Sequence, residues 1–315
     1  MSAVSESAVA SSSSPTVAVG TARGIAFVVL AAMLWGTTGT AQSFAPTSLS
    51  PYWVGYFRLL IASAFFIVFI GLTARPARVG STLAHLNWPL AILAGVCMGA
   101  YNLTFFAGVK AASVAVGTAL AVGSAPIWAG ALQLFFGRKP PRAWWFGTLL
   151  AVIGGAWLIL GRGSAVRTSA SGIAFCLAAG FSYALYALAN KRLVRQSDPG
   201  VVTWVVFSVG ALLALPLTWA LAGPVQLAGS GWWVVLFLGV VATGVAYLFF
   251  SWGLRGVSGA TGVSLSLMEP VTAFVLAIAV VHERPGWAAY VGLLLLLSGL
   301  ALVIRAELRT ARCAA

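Results

Sequence analysis

The sequence predicts an all-α polytopic membrane protein with ten transmembrane helices in two inverted five-helix repeats. Three observations lead there: a charge-poor, apolar composition, ten apolar runs of spanning length, and an ordered likeness between the first five runs and the last five. Of the 315 residues, 61% are hydrophobic and 7% charged, where soluble domains average about half and about a quarter. Charges this sparse cannot coat a soluble surface of that size, which excludes the soluble globular, disordered and disulfide-scaffold classes. Cys97 and Cys176 lie inside apolar runs and Cys313 in the tail, and all three read as inert thiols.

A transmembrane helix takes about 20 mostly apolar residues. The runs cover 24–44, 53–72, 88–108, 112–136, 143–161, 172–190, 201–221, 232–253, 258–280 and 287–305, numbered here as spans 1 to 10. Pro, Gly, Arg and Lys fill the gaps, as at helix ends. The gaps around Lys110 and Arg255 are so short that spans 3–4 and 8–9 must form tight helical hairpins. Residues 1–22, rich in Ser and Ala, read as a disordered cytoplasmic tail. Residues 23–162 form the first repeat, 163–306 the second, and 307–315 a second cytoplasmic tail. A signal peptide followed by nine spans competes with this reading, but no Lys or Arg precedes Arg23 to supply a basic start.

The net charge of +13 would suggest nucleic acid if it clustered on one folded face. It sits instead in the gaps, so no nucleic-acid partner is expected. Numbering the gaps alternately from the N-terminus puts thirteen of the eighteen Lys and Arg on one side. Lys110, Arg162, Arg167 and Arg284 fall on the other, and Arg58 lies within a span. The positive-inside rule makes the richer side cytoplasmic. Both termini are then cytoplasmic in a cell (inner) membrane protein, which requires an even number of spans. Trp53, Trp88, Trp144, Trp145, Trp232, Trp233 and Trp287 sit near span ends as an aromatic belt.

The halves repeat in order. Gly24-Ile25-Ala26-Phe27 opens span 1 and Gly172-Ile173-Ala174-Phe175 opens span 6, an offset of 148 that also maps Pro51 to Pro199. Later an offset of 144 maps Phe105-Phe106 to Phe249-Phe250, Pro126 to Pro270, Pro141 to Pro285 and Gly155 to Gly299. With five spans per half, the second copy crosses the membrane upside down. Inverted repeats mark secondary transporters, because two like halves can exchange roles.

Two charged groups lie inside apolar runs. Glu269 is eleven residues from the start of span 9 at Ser258, roughly 16 Å along a helix and so near the midplane. A carboxylate there faces a cavity, or else is protonated and bonded to a neighbouring helix. Pro270 follows it, and Pro126 occupies the matching place in span 4. Both are expected to break their helices, and interrupted helices at matching positions point to a central gated site. Arg58 lies about 10 Å from the outer end of span 2, where snorkelling and a role in a polar cavity, as a polar partner of Glu269, are both open. Trp35, Tyr101, Asn102, Tyr183 and Tyr247 join Glu269 as the expected substrate-binding residues, on a cavity lined by spans 1, 3, 4, 6, 8 and 9.

The five-span halves, Trp35-Gly36, Arg58, Glu269-Pro270 and His282-Glu283-Arg284-Pro285 resemble the EamA family of the drug/metabolite transporter superfamily, over nearly everything after residue 22. The resemblance implies ten helices in two inverted repeats, cytoplasmic termini, and export of amino acids or other small metabolites. Two positions depart from a symmetrical pattern: Lys139 stands at the equivalent of Glu283, and Ala125 at the equivalent of Glu269. Glu283 therefore reads as a loop contact. A membrane-embedded enzyme is not expected: His85 and His282 lie at span ends on opposite sides, the only Asp, Asp198, is in a loop, and no phosphate-binding Gly-rich motif is present. No cofactor or metal is called for. A channel or facilitator, or another polytopic membrane protein without transport activity, is the alternative function, and proton coupling through Glu269 and facilitated diffusion both stay open.

Overall fold

The computed structural model describes residues 15–42, 44, 46, 49–112, 114–160, 169–225, 229, 231–280, 282 and 284–313. Among these, ten helices are long and apolar enough to cross a membrane: Val19–Gln42, Pro51–Thr73, Trp88–Ala111, Val116–Phe135, Arg142–Leu160, Ala170–Gln196, Pro199–Ala222, Gly231–Gly256, Gly259–Ala279 and Trp287–Cys313. They match the ten expected spans. Starts are set by local chemistry. Proline occupies the first turn at Pro51 and Pro199, where no N–H is needed. Asp198 accepts from the Gly200 N–H (2.9 Å), Asn87 from the Leu90 N–H and Ser169 from the Gly172 N–H.

Both tails depart from expectation. The first helix begins at Pro15, so residues 15–22 are helical rather than disordered, and 1–14 lie outside the described residues. The last helix runs to Cys313, through most of the expected tail 307–315. Ala and Leu continue the helical pattern past the apolar run there, and helix formation is cooperative. A short helix, Pro76–Ala84, occupies the gap between spans 2 and 3 and sets Val79 and Leu83 against the bundle.

The spans pair as two equivalent halves should. Exchanging spans 1–5 with 6–10 turns the span 3–span 6 pair into span 8–span 1, span 4–span 6 into span 9–span 1, and leaves span 5–span 10 and span 2–span 7 unchanged; all of these pairs are packed. Small residues make the contacts close. A Cβ on Gly24 would stand 2.9 Å from the Gly253 carbonyl oxygen, and one on Gly292 2.9 Å from that of Gly154. Residues assigned by sequence to one side also meet there. Lys191 and Arg255, on the basic side, exchange hydrogen bonds with each other's helix ends, and Arg78 lies 4.0 Å from Asp198. On the opposite side Lys110 stacks on Tyr52 and the Trp53 indole donates to the Gly223 carbonyl.

Candidate functional site

Span 9 is two helices, Gly259–Leu265 and Met268–Ala279. Between them the Leu267 N–H bonds the Ser264 carbonyl and the Glu269 N–H the Ser266 carbonyl, a tight turn in mid-bundle. The break therefore falls at Ser266-Leu267, ahead of Pro270. Pro270 occupies the third position of the second half-helix, where a missing N–H leaves no bond unmade. Glu269 stands in that helix's first turn, a position the helix dipole favours for a carboxylate. Gly36 of span 1 closes on it: a Cβ there would stand 2.6 Å from the Glu269 carbonyl oxygen. Pro126 behaves differently. Span 4 runs unbroken through it from Val114 to Phe135, so the expected break at Pro126 is absent. A proline ring deletes one hydrogen bond, and packed membrane helices tolerate that locally.

Span 8 carries the second irregularity. Residues Val240–Val245 form a π-helical stretch between two α-helical segments. Such bulges rotate side chains out of α register, often at functional sites. Here the Thr243 hydroxyl donates to the Leu238 carbonyl at 2.7 Å and accepts from Arg58 Nε at 3.1 Å. The guanidinium is thereby held inside the bundle rather than extended towards the interface.

Around these groups lies a cavity with about 50 Å³ of space open to water centres. Trp35 and Thr38 of span 1, Arg58 of span 2, Tyr101 and Phe105 of span 3, Tyr183, Tyr247, Ser266 and Glu269 line it, with Ala121 and Val122 of span 4. Arg58, Trp35, Tyr101, Tyr183, Tyr247 and Glu269 are thus brought together as expected. Asn102 is not. It is 7% exposed and its amide donates to the Met98 carbonyl at 3.0 Å, facing span 2. One residue along a helix is about 100° of rotation, so Tyr101 and Asn102 cannot share a face. Thr38, Phe105, Ser266 and Thr243 were not singled out as site residues. Thr243 showed in the sequence only as a hydroxyl inside an apolar span, and its bond to Arg58 depends on the π-helical stretch that contains it. Glu283 lies outside the described residues.

The walls are aromatic and in contact: Trp35–Tyr247 ring centroids are 4.9 Å apart and Tyr101–Tyr183 5.4 Å. Two buried polar atoms on the lining, Trp35 Nε1 and Thr38 Oγ1, have no hydrogen-bond partner among the described residues. Buried donors of this kind need one, so the cavity contents must supply it. Arg58 and Glu269, a basic and an acidic side chain, stand on the same lining. Yet among the described residues the only ion pair within 4.0 Å is Arg78–Asp198. Fully buried Phe250 and Tyr186, nearer the basic ends of their helices, pack on the lining residues Tyr183 and Tyr247. Behind them the Asn190 amide donates to the Tyr186 and Ser251 hydroxyls, both at 3.1 Å, and Ser251 meets Thr203 at 2.9 Å. Glu307 of span 10 holds the start of span 9 through Ser258 and Thr261. Among the described residues no three of His, Cys, Asp and Glu come together as a metal site.

The sequence matches the EamA-like transporter family over residues 22–160 and 170–305. It is 40% identical over 289 residues to the uncharacterized transporter YwfM of Bacillus subtilis, covering 91% of this chain and 95% of that one. The threonine/homoserine exporter RhtA of Escherichia coli is 27% identical over 80% of both chains, and an E. coli biotin transporter is 27% identical over 49% of this chain and 53% of its own. A crystal structure with 19% sequence identity superposes at a TM-score of 0.77, covering 90% of this chain and 97% of the other. Two five-span halves, each matched in turn, and an aromatic cavity between them make the chain a multi-pass membrane transporter, a member of the EamA-like transporter family.

Proposed function

We propose that this transporter exports small zwitterionic metabolites, amino acids among them, by alternating access. The cell (inner) membrane, with both termini cytoplasmic, is its place in that reading. The observation that carries it is the pair Arg58 and Glu269. A guanidinium and a carboxylate line one small aromatic cavity without pairing to each other. A solute with a carboxylate and an ammonium satisfies both at once, and the unpartnered Trp35 and Thr38 groups offer it further hydrogen bonds. The threonine/homoserine exporter among the relatives is in keeping with such a solute. The cavity holds a few waters' volume, so the helices must part to admit a metabolite. The buried rings of Phe250 and Tyr186 and the Asn190–Ser251–Thr203 bonds, packed between the lining and the basic helix ends, favour a gated transporter over an open channel.

The test is efflux and counterflow from liposomes holding the purified protein, across a panel of α-amino acids, their decarboxylated amines and their deaminated acids. Biotin serves as a carboxylate without an ammonium. Saturable movement of amino acids, with little competition from either analogue, is expected. Flux that neither saturates nor is competed would make the protein a channel, and failure of every solute to move would reject the reading.

A further inference from the structure

A second groove lies away from the cavity, at the basic ends of spans 3, 4 and 6, with about 80 Å³ open to water centres. Its charged lining is Arg138, Lys191 and Arg192, and no Asp or Glu lines it. The fold positions each of these cations. Gly137, at φ 74°, ends span 4 in a left-handed turn; the Gly137 N–H bonds the Leu134 carbonyl and the Arg138 N–H the Gln133 carbonyl at 2.8 Å. That reversal folds Arg138 back beside Gln133. Arg192 is held by the Phe136 ring, 5.0 Å from its centroid. The Lys191 ammonium donates to the Leu254 and Arg255 carbonyls, which leaves one of its three N–H bonds free. Neither guanidinium has a hydrogen-bond acceptor among the described residues, so the groove presents fork-shaped donors of one sign.

Two further features say what would fill it. Gln133, only 9% exposed, lines the groove, and its side-chain amide has no hydrogen-bond partner among the described residues. Its amide adds an uncharged donor and acceptor beside the cations of the groove. On the membrane side the wall is apolar: Leu90, Leu93 and Leu188 continue the groove from the cations towards the bilayer, and Leu93 is 41% exposed. Cations at one end and an apolar wall of half-buried Leu90 and Leu188 with exposed Leu93 at the other match a molecule with an anionic head and hydrocarbon tails.

We propose that this groove binds the head group of an anionic glycerophospholipid. The phosphate lies between Arg138 and Arg192, Lys191 and Gln133 donate to its oxygens or to the glycerol, and the acyl chains run over Leu90, Leu93 and Leu188. Two guanidinium forks suit a phosphate in a way scattered surface charge does not. The proposal is independent of what the central cavity carries.

The test is native mass spectrometry of the full chain in detergent, titrated separately with phosphatidylglycerol, phosphatidylcholine of the same acyl chains, and glycerol 3-phosphate. A phosphatidylglycerol adduct that outlasts the phosphatidylcholine adduct is expected. The double variant Arg138→Gln/Arg192→Gln should weaken it about tenfold or more, from the loss of two interfacial cations. Arg309→Gln/Arg312→Gln removes the same charge from the exposed C-terminal helix and should leave the adduct unchanged. Gln133→Leu, which spares the charges and fills the same space, should weaken it severalfold. The proposal is overturned if phosphatidylcholine binds equally, or if the C-terminal variant loses as much as the groove variant. It is overturned equally if glycerol 3-phosphate binds with the same dependence on Arg138 and Arg192, since the site would then take a soluble anion. Unchanged phosphatidylglycerol binding in both the arginine variant and Gln133→Leu also rejects it.

Discussion

Spans 4 and 9 occupy equivalent places in the two repeats and carry equivalent prolines, yet they do different things. Span 4 passes through Pro126 as one helix with buried Ala125 beside it; span 9 stops at Ser266-Leu267 and restarts with Glu269 in its first turn. Spans 3 and 8 differ in the same direction. Span 3 is α-helical from Trp88 to Ala111, whereas span 8 contains the π-helical stretch that turns Thr243 towards Arg58. The first repeat gives the cavity an arginine and aromatic rings on regular helices. The second gives it the carboxylate and the irregular backbone. Packing obeys the twofold relation and chemistry does not: the Gly24–Gly253 and Gly154–Gly292 contacts serve a symmetric scaffold, while the charged groups sit on a single, asymmetric lining.

Substitutions can break the symmetric part and the asymmetric part separately. The largest effect falls on the scaffold. Gly154→Leu and Gly292→Leu each drive a side chain into the facing backbone of the span 5–span 10 pair, and overpacking of this kind costs about 1–3 kcal/mol or more. Both variants should lose folded protein to a like extent, read as the monodisperse fraction on size-exclusion chromatography. A loss confined to one glycine would contradict the close approach of the two backbones. The proline pair should divide the halves. Pro126→Ala restores a hydrogen bond inside a continuous helix and should raise the melting temperature with transport retained. Pro270→Ala lets the second half-helix of span 9 extend back across the break and should slow transport more than it changes stability. Equal behaviour of the two prolines would mean the break has no part in transport. The smallest effect is expected of Thr243→Val, which frees Arg58 Nε of its acceptor. A hydrogen bond to a charged group is worth about 1.5–3 kcal/mol, but the guanidinium keeps its other donors, so a severalfold rise in apparent KM with unchanged stability is the outcome to look for.

Much of this was legible from residues alone, for physical reasons. Hydrocarbon demands some 20 apolar residues per crossing, so the ten spans and their gaps could be read directly, and the odd number per half followed. Charged and aromatic residues inside a span are costly or conspicuous, which brought Arg58, Glu269, Trp35, Tyr101, Tyr183 and Tyr247 to notice, all six on the lining. What escaped was backbone detail. Asn102 looked as polar as Tyr101, but helical rotation turns it towards span 2. Pro270 marked a break that lies three or four residues earlier, because a proline ring is tolerated in a first turn but clashes with the carbonyl four residues before it. The π-helical stretch follows from how span 8 packs, with Phe65 against Gly244 and Ile61 against Gly239. No local residue pattern in Val240–Val245 announces it. The helix Pro76–Ala84 had a readable signal, Pro76 at its start with Val79 and Leu83 four apart, hidden by the attention that longer apolar runs command.

The central claim is that Arg58 and Glu269 read the two charges of one solute, and the most direct measurement is a competition matrix. Counterflow of a transported α-amino acid is measured in liposomes holding the wild type, Arg58→Lys, Arg58→Gln or Glu269→Gln, against the unlabelled amino acid, its decarboxylated amine and its deaminated acid. The wild type should prefer the amino acid over both analogues by about tenfold or more, the worth of one charged hydrogen bond. In Arg58→Gln the amino acid should compete no better than the amine, with Arg58→Lys intermediate. In Glu269→Gln it should compete no better than the deaminated acid. Folded variants that keep the wild-type order of preference, whichever charge is removed, would contradict the claim.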